Sequence, residues 1–327
     1  MTQKNETTVL ILALLITTGL IGLGFWWFSS QSGSKTGNLI NQESNQSEQS
    51  NIKTFVQVKN IPSGVFSYGG STTWATIRRD LDPAIQTVWP QYRLRYTHPN
   101  KGIASSGAGI RMLLDNQLSF SHASRPIEDK EYEQAKQRGF SLVEIPVAID
   151  GRAIAVHPSL SIPGITMQQR DDIYSGKITN WNQLGGPNLR IKRYAVQGDE
   201  GENIELVPTP TEAIRKVAED PAGMFEASAP LLVSQCKVKT LALGRASNQL
   251  IPPYKQPFVP LSECPYKRNE ANIEAFLSGE YPYTRRLFVI VKKNGQVDQQ
   301  AGEAYANLLL TNQGQEMIEK AGFVRIR

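Results

Sequence analysis

From residue 55 to the C-terminus, short apolar runs alternate with amphipathic stretches, and this alternation limits the chain to few architectures. Residues 55–58 (FVQV) read as a strand. Residues 70–90 start with small polar residues and continue as a helix, and residues 92–99 (YRLRYTHP) alternate like a strand. Residues 107–117 read as a second helix, and residues 128–139 as a surface helix ended by Gly139. Residues 142–158 (LVEIPVAIDGRAIAVHP) read as a strand, a turn at Asp150 and Gly151, and another strand. Helices over 166–176 and 209–220 flank a strand over 189–196. A strand over 285–293 precedes two closing helices within 302–322. Strands separated by helices predict an α/β fold with mostly parallel sheets. No internal repeat is present.

The first thirty residues differ from the rest. Residues 8–28 are 21 positions without a charge, ending in Trp26, Trp27 and Phe28. At about 1.5 Å per helical residue they are long enough to cross about 30 Å of hydrocarbon, and the terminal aromatic rings favour the membrane interface. One transmembrane anchor over 1–28 is the expectation. A cleaved signal segment is the competing reading, although FWWFSSQSGS offers no clean small-residue cleavage site. Residues 29–54, rich in Ser, Gln, Asn and Gly, read as a flexible tether. The remainder, 55–327, is long enough for two compact units. With 40% hydrophobic and 20% charged residues, the chain is neither wholly disordered nor polytopic. Its 35 Lys and Arg against 30 Asp and Glu give +5. That excess admits anionic partners, but without a dense basic run it does not call for nucleic acid. Two cysteines and three histidines, with no CxxC, cannot build a usual structural zinc site. No metal or cofactor is expected.

Two places share one design. Gly69-Gly70-Ser71-Thr72-Thr73 precedes a helix, and Ser105-Ser106-Gly107-Ala108-Gly109 precedes another. A helix N-terminus has unpaired N–H groups and partial positive charge; glycines let an anion approach the backbone, and hydroxyls add donors. Two such starts converging would bind one oxyanion. Ordinary N-capping explains either start alone. Neither continues as Gly-Lys-Ser/Thr, so nucleotide hydrolysis is not indicated. No nucleophile–base set and no paired carboxylates stand out, so an enzyme is not expected.

Further segments make a resemblance specific. The strings GGSTTW, ASSGAG, ASRPI (123–127), EIPVAIDG (144–151) and DIYSGKITNW (172–181) occur in order, followed by YPYTRRLFVIVKK and TNQGQEMIEKAGFV. Over residues 61–327 the chain resembles the periplasmic phosphate-binding proteins that feed ABC-type phosphate importers. The resemblance implies a two-lobed, type II periplasmic binding fold with a ligand cleft between lobes. Lobe one would take about 55–147 and 285–327, and lobe two about 148–284, with crossings near 147–151 and 281–288. It places the first phosphate-binding turn on Thr72 and Thr73, and the second on Ser106 with Ser105 adjacent. The segment that supplies a carboxylate in some members falls on Ser124, next to Arg125, so that device is absent or altered.

The fourth family element departs most. The family has Arg, three residues, then Ser-Gly-Thr at a helix start. Matching strand ends puts Gln197 on the Arg and Gly201-Glu202-Asn203 on the triplet; another frame keeps Arg193. Either frame loses two hydroxyls and adds Asp199, Glu200 and Glu202 nearby. Arg152 would then supply the missing charge, or the ligand differs. The implied function is an extracytoplasmic solute-binding protein for phosphate or a similar oxyanion, delivering to an ABC permease. It would be held at the cytoplasmic membrane by its N-terminal helix, or be periplasmic after signal cleavage. A diverged sensing or protein-interaction module on the same fold is the alternative. Export would place the only cysteines, Cys236 and Cys264, in an oxidising compartment, where a disulfide is expected; two buried free thiols are the other reading. His98, His122 and His157 read as surface or turn residues, and the pairs Arg78-Arg79 and Arg285-Arg286 as solvated faces.

Overall fold

Two strands serve both halves of the molecule, and the rest of the fold is arranged about them. The computed structural model describes residues 52–196 and 204–327; Ile52–Arg327 is one compact unit. The chain opens with β1 (Gly64–Gly70), α1 (Ala75–Val88), β2 (Tyr92–Tyr96), α2 (Ser106–Leu114), β3 (Phe120–Ala123), α3 (Asp129–Gln137) and β4 (Ser141–Val156). There follow β5 (Gly164–Thr166), α4 (Met167–Tyr174), β6 (Lys192–Ala195), β7 (Ile204–Leu206), α5 (Pro210–Glu219), β8 (Gly223–Ser228) and α6 (Ala229–Leu232). Small strands β9 (Lys239–Thr240), β10 (Ala242–Gly244) and β11 (Leu250–Ile251) lead to α7 (Ile273–Ser278), β12 (Thr284–Lys293), α8 (Val297–Leu309) and α9 (Asn312–Lys320).

The main sheet has the order β2-β1-β3-β12-β4-β8-β6-β7, with β9 beside β4. Strand β4 pairs β12 from Ser141 to Gly151, then pairs β8 from Arg152 to Val156. It therefore belongs to both halves. The first half packs Tyr68, Trp74, Tyr92, Phe120 and Tyr305 into one core, with α2 and Ile290 forming a satellite. The second packs Trp181, Tyr194, Phe225, Phe276 and Tyr281 into another. The sheet is mixed rather than mostly parallel. β1 lies parallel to β2 and β3, and β6 to β7 and β8, but β4 and β12 run antiparallel to their neighbours. A chain that leaves one half and later returns brings its two crossing strands side by side in opposite directions.

Several sequence expectations need correction. There is no turn at Asp150 and Gly151: β4 is continuous through them. Gly151 is there because a Cβ would lie 2.4 Å from the Phe276 ring, a close approach that only glycine permits. Residues Phe55–Gln57 form a 3-10 turn instead of a strand, with Phe55 fully buried. The folded body starts before residue 55, since the carbonyls of Ile52 and Lys53 accept from the backbone of Asn312 and Gln313. His122 is no surface residue. It lies buried on β3, stacked on Trp74 at 4.0 Å and flanked by Tyr68 and Tyr305. Among the described residues no helix is long and apolar enough to cross a membrane. The anchor expected over 1–28, nearly all of the tether and the loop 197–203 lie outside the described residues. Cys236 and Cys264 are joined by a disulfide, with Cα atoms 5.6 Å apart.

Candidate functional site

The two Gly/Ser/Thr helix starts come together because glycine lets their backbones touch. Gly70 ends β1 with φ +127, and a Cβ on it would lie 2.1 Å from the His122 carbonyl oxygen. A Cβ on Gly109, in α2, would meet the Gly70 Cα at 2.5 Å. Side chains here would force the two segments apart. The hydroxyls then link into one network. Ser71 donates to the Ser124 Oγ at 2.9 Å, and the Ser124 backbone N–H donates to the Ser106 Oγ at 3.0 Å. Ser106 and Ser124 lie with their hydroxyl oxygens 3.3 Å apart. Ser105 caps α2, accepting from the Ala108 N–H at 3.2 Å.

These residues form one wall of a cleft of about 1040 Å³. Thr72, Thr73, Ser105, Ser106, Ser124, Arg125 and Arg152 all line it. The opposite wall holds Arg170, Tyr174, Glu226, Ser228 and Tyr283, with Arg285 on the crossing strand β12. Hydrogen-bond donors from one half thus face cationic groups of the other.

The electrostatics are set by two buried carboxylates. Glu226, on β8, accepts from Arg152 and from the Tyr283 hydroxyl at 2.6 Å, while Arg170 bonds its second oxygen at 2.9 Å. Burial alone would push this carboxyl up, but the Arg152 and Arg170 charges outweigh it and hold it down at about 2. Glu226 in turn raises both guanidinium pKa values against the effect of burial. Asp150, fully buried, accepts from Arg285 Nε at 3.0 Å and from the Ser228 hydroxyl at 2.5 Å. Burial lowers the Arg285 guanidinium and raises the Asp150 carboxyl, and each partner opposes the other's shift. Arg152, Arg170 and Arg285 thus share Glu226 and Asp150, and Arg170 also bonds Asp171 at 2.8 Å, so each of the three charges has a carboxylate partner.

Not every expected residue contributes as expected. Arg125 lines the rim, but its guanidinium forks onto Glu131 at 2.7 and 2.9 Å and lies 3.2 Å from Glu128, so its charge is already offset. Arg193, kept by one reading frame, is buried with its guanidinium 3.8 Å from the Tyr174 ring centre and is not in the cleft lining. Gln197, Gly201 and Asn203, with Asp199, Glu200 and Glu202, lie outside the described residues. The pair Arg285-Arg286 divides: Arg286 is exposed, whereas Arg285 is built into the cleft. Sequence reasoning missed Arg170, Glu226, Ser228 and Tyr283. Two of them carried a local signal. Glu226 is the one charged residue in the GMFEAS strand, and Arg170 stands four residues before Tyr174 on α4, where the side chains stack at 4.0 Å. Among the described residues no group of three or more His, Cys, Asp or Glu is placed to hold a metal ion.

A family model described as the PBP superfamily domain matches residues 44–313. The chain belongs to the PBP superfamily. Within this superfamily it is similar to the phosphate-binding protein PstS of Pseudomonas aeruginosa, 26% identical over 298 residues, covering 81% of this chain and 86% of that protein. PstS of Staphylococcus epidermidis is 26% identical over 233 residues, covering 69% of each chain. Among solved structures, a Clostridium perfringens protein described as a phosphate ABC transporter substrate-binding protein with bound phosphate superposes with a TM-score of 0.63. It is 20% identical, covering 81% of this chain and all of that one. An ABC-type phosphate transport receptor from Vibrio cholerae gives 0.59 at 18% identity, covering 80% of this chain and all of that one. At these identities the superpositions establish the mixed α/β periplasmic-binding fold.

Proposed function

We propose that the protein is a solute-binding protein for phosphate or a similar oxyanion, which it carries to an ABC permease. One observation carries the reading: two glycine-containing helix starts are brought into contact, and their hydroxyl residues Thr72, Thr73, Ser105 and Ser106 line a cleft faced by Arg152 and Arg170. Similarity to PstS proteins supports phosphate as the ligand. Thr72, Thr73, Ser105 and Ser106, with Ser124 behind them, would hold the anion from the first half, and Arg152 would face it from the second. The two halves, about 55–147 with 285–327 and about 148–284, would act as lobes that close on the ligand, with β4 and β12 as the connection. Binding and release complete the activity, and no bond is made or broken. The working location is extracytoplasmic, with residues 8–28 as a single-pass anchor or a cleaved signal.

A non-transport sensing or partner-holding module is the second reading. The observation in its favour is that Arg125, Arg152, Arg170 and Arg285 each already have a carboxylate partner. Equilibrium titration of the full chain with phosphate, arsenate and sulfate separates the two. Saturable one-to-one phosphate binding supports the first reading, and no binding of any of the three supports the second.

A further inference from the structure

We infer that Arg285 is a positioning residue of the anion site: from β12 it holds the Thr73 hydroxyl so that the Thr73 proton is directed into the cleft. The inference rests on the oxyanion-binding reading above. Arg285 Nη2 donates to Thr73 Oγ1 at 2.7 Å. A hydroxyl carries one proton and two acceptor lone pairs, whereas a guanidinium only donates. The contact therefore occupies a lone pair of Thr73 and leaves its proton free. Among the described residues, no hydrogen bond from the Thr73 hydroxyl to a protein acceptor competes for that proton, and Thr73 lines the cleft. A freely rotating hydroxyl would have to be ordered by the anion on binding. Arg285 removes that freedom.

The guanidinium is itself fixed. Arg285 stands directly opposite Asp150 in the β12–β4 ladder, and its Nε donates to Asp150 Oδ2 at 3.0 Å. The other Asp150 oxygen accepts from Ser228. The carboxylate has no exposed surface, so solvent does not compete for it. Nε and Nη2 of one rigid, planar fork thus serve Asp150 and Thr73 together. A lysine ammonium keeps the charge but lacks the fork, and cannot reproduce both contacts.

The test is a double-mutant cycle on the full chain, titrated with inorganic phosphate by calorimetry at low and high salt, with a thermal melt for every variant. Thr73→Val should weaken binding about tenfold or more, since it removes a donor to a charged ligand. Arg285→Lys should weaken it by a similar factor at both salt concentrations. The double variant should be within about twofold of Thr73→Val alone, because the arginine acts through the threonine. Thr73→Ser, which retains the hydroxyl, should bind nearly as well as wild type and stay sensitive to Arg285→Lys. Losses that multiply in the double variant overturn the inference, as does an Arg285→Lys chain that binds like wild type or whose loss disappears at high salt. Arg285→Gln takes the same place in the cycle if the lysine variant melts below the assay temperature. A wild-type chain that binds no phosphate overturns the oxyanion reading and this inference with it; phosphate binding with multiplicative losses overturns this inference alone.

Discussion

At the scale of single residues, the site depends on positions where an added atom has no room. A Cβ at Gly109 would lie 2.4 Å from Ser121 Oγ and 2.5 Å from the Gly70 Cα. Gly109→Ala should lower stability by about 1–3 kcal/mol, as overpacking does, and weaken anion binding because the two helix starts are pushed apart; denaturant unfolding and a phosphate titration read the two effects. His122 makes a second case. Burial holds its pKa well below the ordinary 6.5, with the nearby Arg78 charge adding to the effect. The folded protein therefore keeps it neutral while the unfolded chain protonates it, so stability falls as pH drops below about 6.5, by about 1.4 kcal/mol per unit. His122→Phe should remove that component: between pH 6.5 and 5 its stability should fall by about 2 kcal/mol less than that of wild type. Equal slopes in urea unfolding across that range would show that His122 is not the group responsible. The sequence did not reveal this histidine as buried, since its aromatic neighbours Trp74 and Tyr305 come from distant segments.

At the scale of elements, β4 joins the halves, and Glu226 on β8 ties it to α4 and to Tyr283 just before β12. Because Glu226 titrates at about 2 when folded, below its ordinary value of about 4.5, it contributes stability above pH 4.5 that is lost as pH falls through 2. The size is about 3 kcal/mol at one pKa unit per 1.4 kcal/mol. Acid unfolding of Glu226→Gln should be flatter in that window, and the variant should be less stable at neutral pH, where the half-buried Arg152 and Arg170 lose their shared partner. The disulfide gives an independent check on the second half. Replacing Cys236 and Cys264 by serine should cost about 3.5 kcal/mol in the loop-entropy account, read by urea unfolding. Element type was mostly legible in the sequence, since the alternation after residue 60 marks strands and helices by local pattern alone. Strand direction and the run through Asp150 and Gly151 were not. An Asp-Gly pair is a common turn signal, and only the approach of Phe276, 125 residues further along the chain, shows why glycine stands there. The helix-start hydroxyls were legible because capping chemistry is local. Arg170, Glu226 and Arg285 were not, because each owes its role to a partner in another segment.

At the scale of the whole molecule, the arrangement is a hydroxyl-rich wall and an arginine-bearing wall on two halves joined by two strands. Anion binding between them should favour a closed form, so phosphate should raise the melting temperature in a concentration-dependent way. The most direct measurement is equilibrium binding of phosphate to the full chain, wild type against the Thr73→Ala, Ser106→Ala double variant. One saturable phosphate site per chain is expected in the wild type. Removal of two donors to a charged ligand, at about 1.5–3 kcal/mol each, should weaken binding far more than tenfold, with the fold retained. A wild-type chain that does not bind phosphate, or a folded double variant that binds it with unchanged affinity, would contradict the assignment of this cleft as the anion site.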